Sequence, residues 1–61
     1  VLVNQIYRGN DVGSKETFVR VVSHHEHKNE VQYHFCDQNG RAKTGLVSRT
    51  TESFLSLFRL A

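Results

Sequence analysis

The chain has 61 residues and a net charge of +2 with histidines neutral, and 38% of its residues are hydrophobic. This length predicts one small domain over residues 1–61, which the patterns described below predict to be β-rich. It leaves little room for both a stable core and a deep catalytic cleft. The single cysteine, Cys36, excludes an intrachain disulfide and a four-cysteine zinc site. The absence of disulfide bridges favours a reducing compartment, so we expect a cytoplasmic protein. Apolar runs fall far short of the roughly 20 residues of a membrane helix, so we expect no membrane segment.

Turn-forming residues interrupt the chain at three places. Asn39-Gly40, in the last of them, is a strong hairpin dipeptide because both residues tolerate positive φ. The segments between the turns are rich in β-branched and aromatic residues and predict hairpin-linked strands. The turns are expected at 9–14, 27–30 and 37–40, and the strands at about 3–8, 16–24, 30–36 and 44–49.

The third predicted strand has the clearest alternation, with Val31, Tyr33 and Phe35 on one face. This pattern is typical of a half-buried antiparallel strand. The second strand is apolar on both faces, as in a long strand that bends and serves two sides of a small barrel. A bulge near Arg20 would allow that bend.

The last dozen residues change from a strand pattern to a helical one. Thr50 to Ser53 supply N-cap candidates and an acidic residue for a first turn. Apolar residues then recur at helical spacing, which predicts a short helix over 51–57. Phe58-Arg59-Leu60 either continues this helix or forms a closing strand, and the periodicity allows both.

These elements predict a mainly β fold. The favoured architecture is a small SH3-like, partly open barrel of four to five antiparallel strands with a short C-terminal helix. The alternative is a four-stranded meander packed by the C-terminal helix.

Catalytic and metal-binding patterns are weak. His34 and Cys36 lie two residues apart on one strand, roughly 6.5–7 Å along it, which is too far for a nucleophile and its base. The histidines His24, His25 and His27 crowd the hairpin before His34, but their spacing matches no standard zinc pattern and also suits a solvated turn. We therefore expect no enzyme, no cofactor and no metal site, with the histidine cluster left open.

Basic residues interleaved with aromatic ones are the strongest functional pattern. Small barrels bind DNA or RNA on one sheet face by aromatic stacking and by Arg and Lys contacts to phosphates. Alternatively, the arginine stems simply cover apolar surface while their charged ends stay in water. The sequence predicts a non-enzymatic binding or regulatory module, whose candidate nucleic-acid-binding residues are Tyr7, Arg20, Lys43 and Arg49.

The C-terminal segment offers a second hypothesis, because it is very apolar for a surface tail. Most of it is expected in the core, but one short helix cannot turn all of its apolar residues inward. A protein partner or a homodimer is therefore the alternative function. The residues proposed for that contact are Phe54, Leu55, Leu57 and Phe58.

A series of core positions recurs in a fixed order along most of the chain. These positions are Ile6-Tyr7-Arg8, the Val-rich strand at 18–22, Val31-x-Tyr33-x-Phe35, Gly40, Arg49 and Phe54-Leu55-x-x-Phe58. In this order the chain resembles short proteins encoded in enterobacterial prophages. The resemblance implies an accessory protein of a phage or mobile element and assigns no catalytic residue.

Overall fold

Antiparallel strands and one short helix build the part of the chain that the structure describes. The structure is a computed structural model, and it describes residues 1–9 and 16–61. The predicted turn at 9–14 lies outside these residues except for Gly9. The elements are β1 (Ile6–Gly9), β2 (Thr17–His25), a 3-10 turn (Glu26–Lys28), β3 (Glu30–Cys36), β4 (Val47–Thr50), α1 (Thr51–Leu57) and β5 (Phe58–Leu60).

The strands form one open sheet in the order β4-β3-β2-β1-β5. Strands β1 to β4 pair consecutively as antiparallel neighbours, and β5 returns to pair with β1, placing Arg59 opposite Arg8. The expectation of a mainly β fold with five antiparallel strands and a short C-terminal helix is confirmed. The residues 58–60 form the closing strand rather than a further helical turn.

Two strands begin later than predicted, for local reasons. Asn4 has a φ of 67°, so regular β1 starts at Ile6 instead of residue 3. The Asn39-Gly40 turn does form, with Gly40 at a φ of 87°. Beyond that turn, the Thr44 hydroxyl accepts the Phe35 backbone N–H in place of a carbonyl, so β4 starts at Val47 instead of residue 44.

The bend in β2 lies close to its predicted position. Val21 pairs with Tyr33 and Ser23 pairs with Gln32, so Val22 is the extra residue of a β-bulge. A bulge shifts the side-chain alternation by one position and increases the local twist. His24 consequently follows Val21 on the face that α1 covers, where it pairs with Val31.

Aromatic rings from the sheet and from α1 form the core. Phe54 of α1 is fully buried, and its ring centroid lies 5.2 Å from that of Tyr7 and 5.3 Å from that of Tyr33. Phe58 is 5.1 Å from Phe54. These tilted and edge-to-face contacts are favourable aromatic geometries. The other buried members of the cluster are Val19, Val21 and Val31.

The start of α1 is fixed by hydrogen bonds to the β2–β3 hairpin. Thr50 is the N-cap, and its hydroxyl accepts the Ser53 N–H at 3.3 Å. The Thr51 N–H donates to the Asn29 carbonyl at 3.3 Å, and the Asn29 side chain donates to Glu52 at 2.7 Å. The helix therefore begins where the hairpin tip holds it. This seven-residue helix is also too short to cross a membrane, and the described residues contain no helix that is long and apolar enough to do so.

Candidate nucleic-acid interface

The strand register assigns each side chain to one of two sheet faces. Cross-strand partners point to the same face, and neighbours along a strand point to opposite faces. Tyr7 pairs with Val19 and Arg49 pairs with Val31, so both lie on the aromatic face, which α1 covers. Arg20 pairs with Ile6 and therefore lies on the opposite face. The expectation that all the candidate nucleic-acid-binding residues share one face is wrong.

Tyr7 and Arg49 have structural partners on the aromatic face. Tyr7 is 5% exposed, and its hydroxyl accepts the Leu2 N–H at 2.9 Å. The Arg49 guanidinium donates to the Tyr33 hydroxyl and to the Ser53 hydroxyl, each at 3.1 Å. Tyr7 therefore has no open ring face for a stacked base, and Arg49 ties β4 to α1.

Arg20 and Lys43 lie near Cys36. Burial raises the pKa of the Cys36 thiol, with a smaller contribution from the negative charge of Asp37, and the positive charges of Arg20 and Lys43 oppose that rise. The Asn39-Gly40 turn folds towards Arg20, since a Cβ on Gly40 would lie 2.9 Å from an Arg20 guanidinium nitrogen. Arg20 is thus half-buried under the turn, whereas Lys43 is exposed. The raised pKa keeps the buried thiol protonated at neutral pH, which argues against a Cys36 nucleophile.

The sequence analysis did not select a pair of arginines, Arg8 and Arg59, on the same sheet face as Arg20. Arg8 pairs with Arg59 on one side and with Phe18 on the other, and Phe18 pairs with Cys36. A row of Arg59, Arg8, Phe18 and Cys36 thus crosses strands β5, β1, β2 and β3. The signal for Arg8 was present in its alternation with Tyr7, but pairing it with Arg59 required the return of β5 to β1.

We call the group formed by Arg8, Arg59, Phe18, Arg20 and Lys43 the basic band. Arg8 and Arg59 are exposed and occupy directly opposite positions on paired strands. Like charges in such positions repel each other, and an anion between them relieves the repulsion. The row itself contains no acidic side chain. Arg8, Arg59, Phe18 and Arg20 share one sheet face, whereas Lys43 belongs to no paired strand and lies beside Cys36. Cations beside an aromatic ring are the composition of a polyanion-binding surface.

The histidines are distributed over both faces. His24 lies on the aromatic face, where its Nε2 is 3.3 Å from the Thr51 hydroxyl, whereas His34 pairs with Arg20 on the opposite face. The described residues contain no group of three or more His, Cys, Asp or Glu side chains that could hold a metal ion. His24 instead contributes to the junction between β2 and α1.

The apolar C-terminal residues are divided between the core and the surface. Phe54 and Phe58 are 0% and 3% exposed, so they belong to the core and do not form a contact surface as proposed. Leu57 packs against the core from a partly buried position. Leu55 is 54% exposed and is the member of this set that faces solvent.

Comparisons of the chain with protein-family models, with curated proteins and with solved structures find no match. The fold and the two sheet faces are therefore the basis for assigning a function.

Proposed function

We propose that this protein is a non-enzymatic binding module that contacts nucleic acid through the basic band. The observation that carries the proposal is the row Arg59–Arg8–Phe18, in which two opposed arginines continue into an aromatic side chain. Phosphates bind guanidinium groups through charge-assisted hydrogen bonds, and bases stack on aromatic rings. Of the residues first selected from the sequence, Arg20 and Lys43 remain in this proposal.

The wider assignment is part of the same proposal. A five-stranded, partly open sheet with a short helix before its last strand suits an SH3-like barrel, an architecture that often presents one sheet face to a ligand. The resemblance to prophage-encoded proteins supports a regulatory role in the bacterial cytoplasm, where nucleic acid is accessible.

The test is a salt-dependent titration of fluorescently labelled DNA and RNA, comparing Arg59→Gln with Lys28→Gln. Both variants remove one exposed positive charge, but Lys28 lies in the 3-10 turn at the other end of the sheet. Arg59→Gln should weaken binding and reduce the slope of log K against log salt by about 0.7 for a single strand. Lys28→Gln should leave that slope unchanged. Equal slopes for the two variants, or no binding at low salt, would contradict the proposal.

Self-association through apolar surface is the second candidate. Leu55 on α1 and Leu60 on β5 are 54% and 49% exposed, and β5 is an edge strand. Exposed apolar side chains beside an unpaired strand edge favour contact with another chain. Light scattering over a concentration series tests it, since a dimer should dissociate in Leu55→Asp. A strict monomer at high concentration would eliminate the second candidate and leave the first intact.

A further inference from the structure

A pocket of about 280 Å³ lies between the Arg8–Arg59 pair and the last turn of α1. Arg8 and Arg59 form one wall, and the last turn of α1, including Leu55 and Leu57, forms another. Glu16, just before β2, is also part of the lining. At Gly9 the end of α1 approaches β1 so closely that a Cβ would meet the Leu57 carbonyl oxygen, and this approach places the last turn of α1 beside the arginine pair.

The walls of this pocket have opposite chemical character. The arginine wall attracts anions, and Glu16 supplies a carboxylate that only accepts hydrogen bonds. Glu16 is the charged acceptor among the lining residues, since the Phe54 carbonyl in the last turn of α1 already accepts the Phe58 N–H. Leu55 adds an exposed apolar side chain. A complementary ligand has an anionic group, a flat apolar body and an N–H donor on its edge.

A nucleotide whose base carries an exocyclic amino group has these three parts. Its phosphate can bind the arginine pair, its ring can pack on Leu55, and its amino group can donate to the Glu16 carboxylate. In a duplex the base edges are paired and the rings are stacked, so a base reaches such a pocket only from an unpaired strand. We infer that the basic band binds single-stranded nucleic acid and that the pocket takes one unpaired, amino-bearing base.

This inference rests on the proposed function and refines it. The experiment compares labelled oligo(dC) with oligo(dT) of equal length, because cytosine has an exocyclic amino group that thymine lacks. A duplex of equal length is the third probe. Each probe is titrated against the unmodified chain and against Glu16→Ala, with Lys28→Gln as the control. Glu16 is exposed, so its replacement leaves the core intact.

The expected result is a change in the ratio of affinities. Glu16→Ala should reduce the dC-to-dT affinity ratio about fivefold, because the loss of one hydrogen bond of about 1 kcal/mol changes an affinity by that factor. Lys28→Gln should leave this ratio unchanged, and the duplex should bind more weakly than oligo(dC). If Glu16 merely repels phosphates, Glu16→Ala will instead strengthen all three complexes equally, which overturns the inference.

The two proposals fail in distinguishable ways. Binding of strand and duplex with equal affinity, with a salt slope that still depends on Arg59, overturns the pocket assignment and keeps the basic band. Absence of binding for every probe at low salt overturns both.

Discussion

The two faces of the sheet use adjacent residues of the same strands for different purposes. On β1, Tyr7 is buried beneath α1, and the next residue, Arg8, is exposed on the basic band. On β5, Phe58 is buried and Arg59 is exposed. One face holds the aromatic rings in fixed contact, whereas the other exposes cations whose mutual repulsion the fold tolerates.

This comparison shows that proximity in sequence is a poor guide to a shared binding surface in a β protein. Tyr7 and Arg8 are adjacent in sequence, yet the pleat of β1 places them on opposite faces. Charge and aromatic content describe the whole chain, but only the register says which charges meet which rings. The following changes test the division between the two faces.

The largest effect is expected from Phe54→Ala, which empties the centre of the aromatic face. Phe54 is fully buried and contacts the rings of Tyr7, Tyr33 and Phe58. Loss of a buried phenylalanine costs about 3–5 kcal/mol, which approaches the whole stability of a domain this small. Thermal unfolding followed by circular dichroism should show little or no cooperative transition. The exposed neighbour Leu55→Ala should melt close to the unmodified chain, and comparable losses in both would contradict this core.

Gly9→Ala should have the next largest effect, because Gly9 is where β1 meets the end of α1. A Cβ at this position would collide with the Leu57 carbonyl oxygen. The backbone must shift to accommodate it, at a cost of about 1–3 kcal/mol. Urea unfolding measures the loss. Gly45→Ala is the matched control, since a Cβ at Gly45 meets no atom within 4 Å. An unchanged Gly9→Ala midpoint would mean that β1 and α1 are farther apart.

Arg59→Gln should slightly stabilise the fold while it weakens nucleic-acid binding. It removes a like charge directly opposite Arg8, a pair that costs roughly 0.2–1 kcal/mol. The gain should shrink as salt screens the repulsion. Urea unfolding at low and high salt measures it, with Lys28→Gln as the control for net charge. A loss of stability in Arg59→Gln would show that the arginine has a structural partner.

The smallest effect concerns the contact between the hairpin tip and α1. The hydrogen bond from the Asn29 side chain holds the pKa of Glu52 below its ordinary value of 4.5, helped by a backbone hydrogen bond. Because the folded-state pKa is lowered, this contribution is present at neutral pH. It is lost as the pH falls below about 4.5 towards the folded-state pKa, where the unfolded chain binds the proton first.

The measurement is the free energy of unfolding between pH 7 and pH 3. The unmodified chain should lose more stability over this interval than Glu52→Gln, which lacks the titrating group. Glu26→Gln, which removes an exposed acidic residue from the 3-10 turn, is the matched control for the change in charge. Parallel curves for Glu52→Gln and the unmodified chain would exclude this contact as a source of pH dependence.

Local patterns were enough to predict most of the fold. The alternation of Val31 and Tyr33 marked β3, and the N-cap and apolar spacing marked α1 over 51–57. These signals are local, since each depends on neighbours within one turn or strand. The start of β4 was misplaced because a side-chain hydroxyl, that of Thr44, replaces a ladder hydrogen bond.

The candidate site was predicted less well, since it depends on pairing between distant segments. Arg20 and Lys43 both lie near Cys36, but Tyr7 and Arg49 belong to the aromatic face. Arg59 was not selected because its position opposite Arg8 follows from the pairing of β5 with β1. Composition contains no information about that pairing.

The pairing of β1 with β5 also has a consequence for biosynthesis. β1 is the first strand of the sheet along the chain and β5 is the last, so their contact closes the longest loop in the sheet. On the ribosome, the β2–β3 hairpin can form while later residues are still in the exit tunnel. The Arg8–Arg59 pair cannot form until β5 has emerged. The basic band is therefore complete only after β5 has emerged, and contacts of such high sequence separation are expected to fold last.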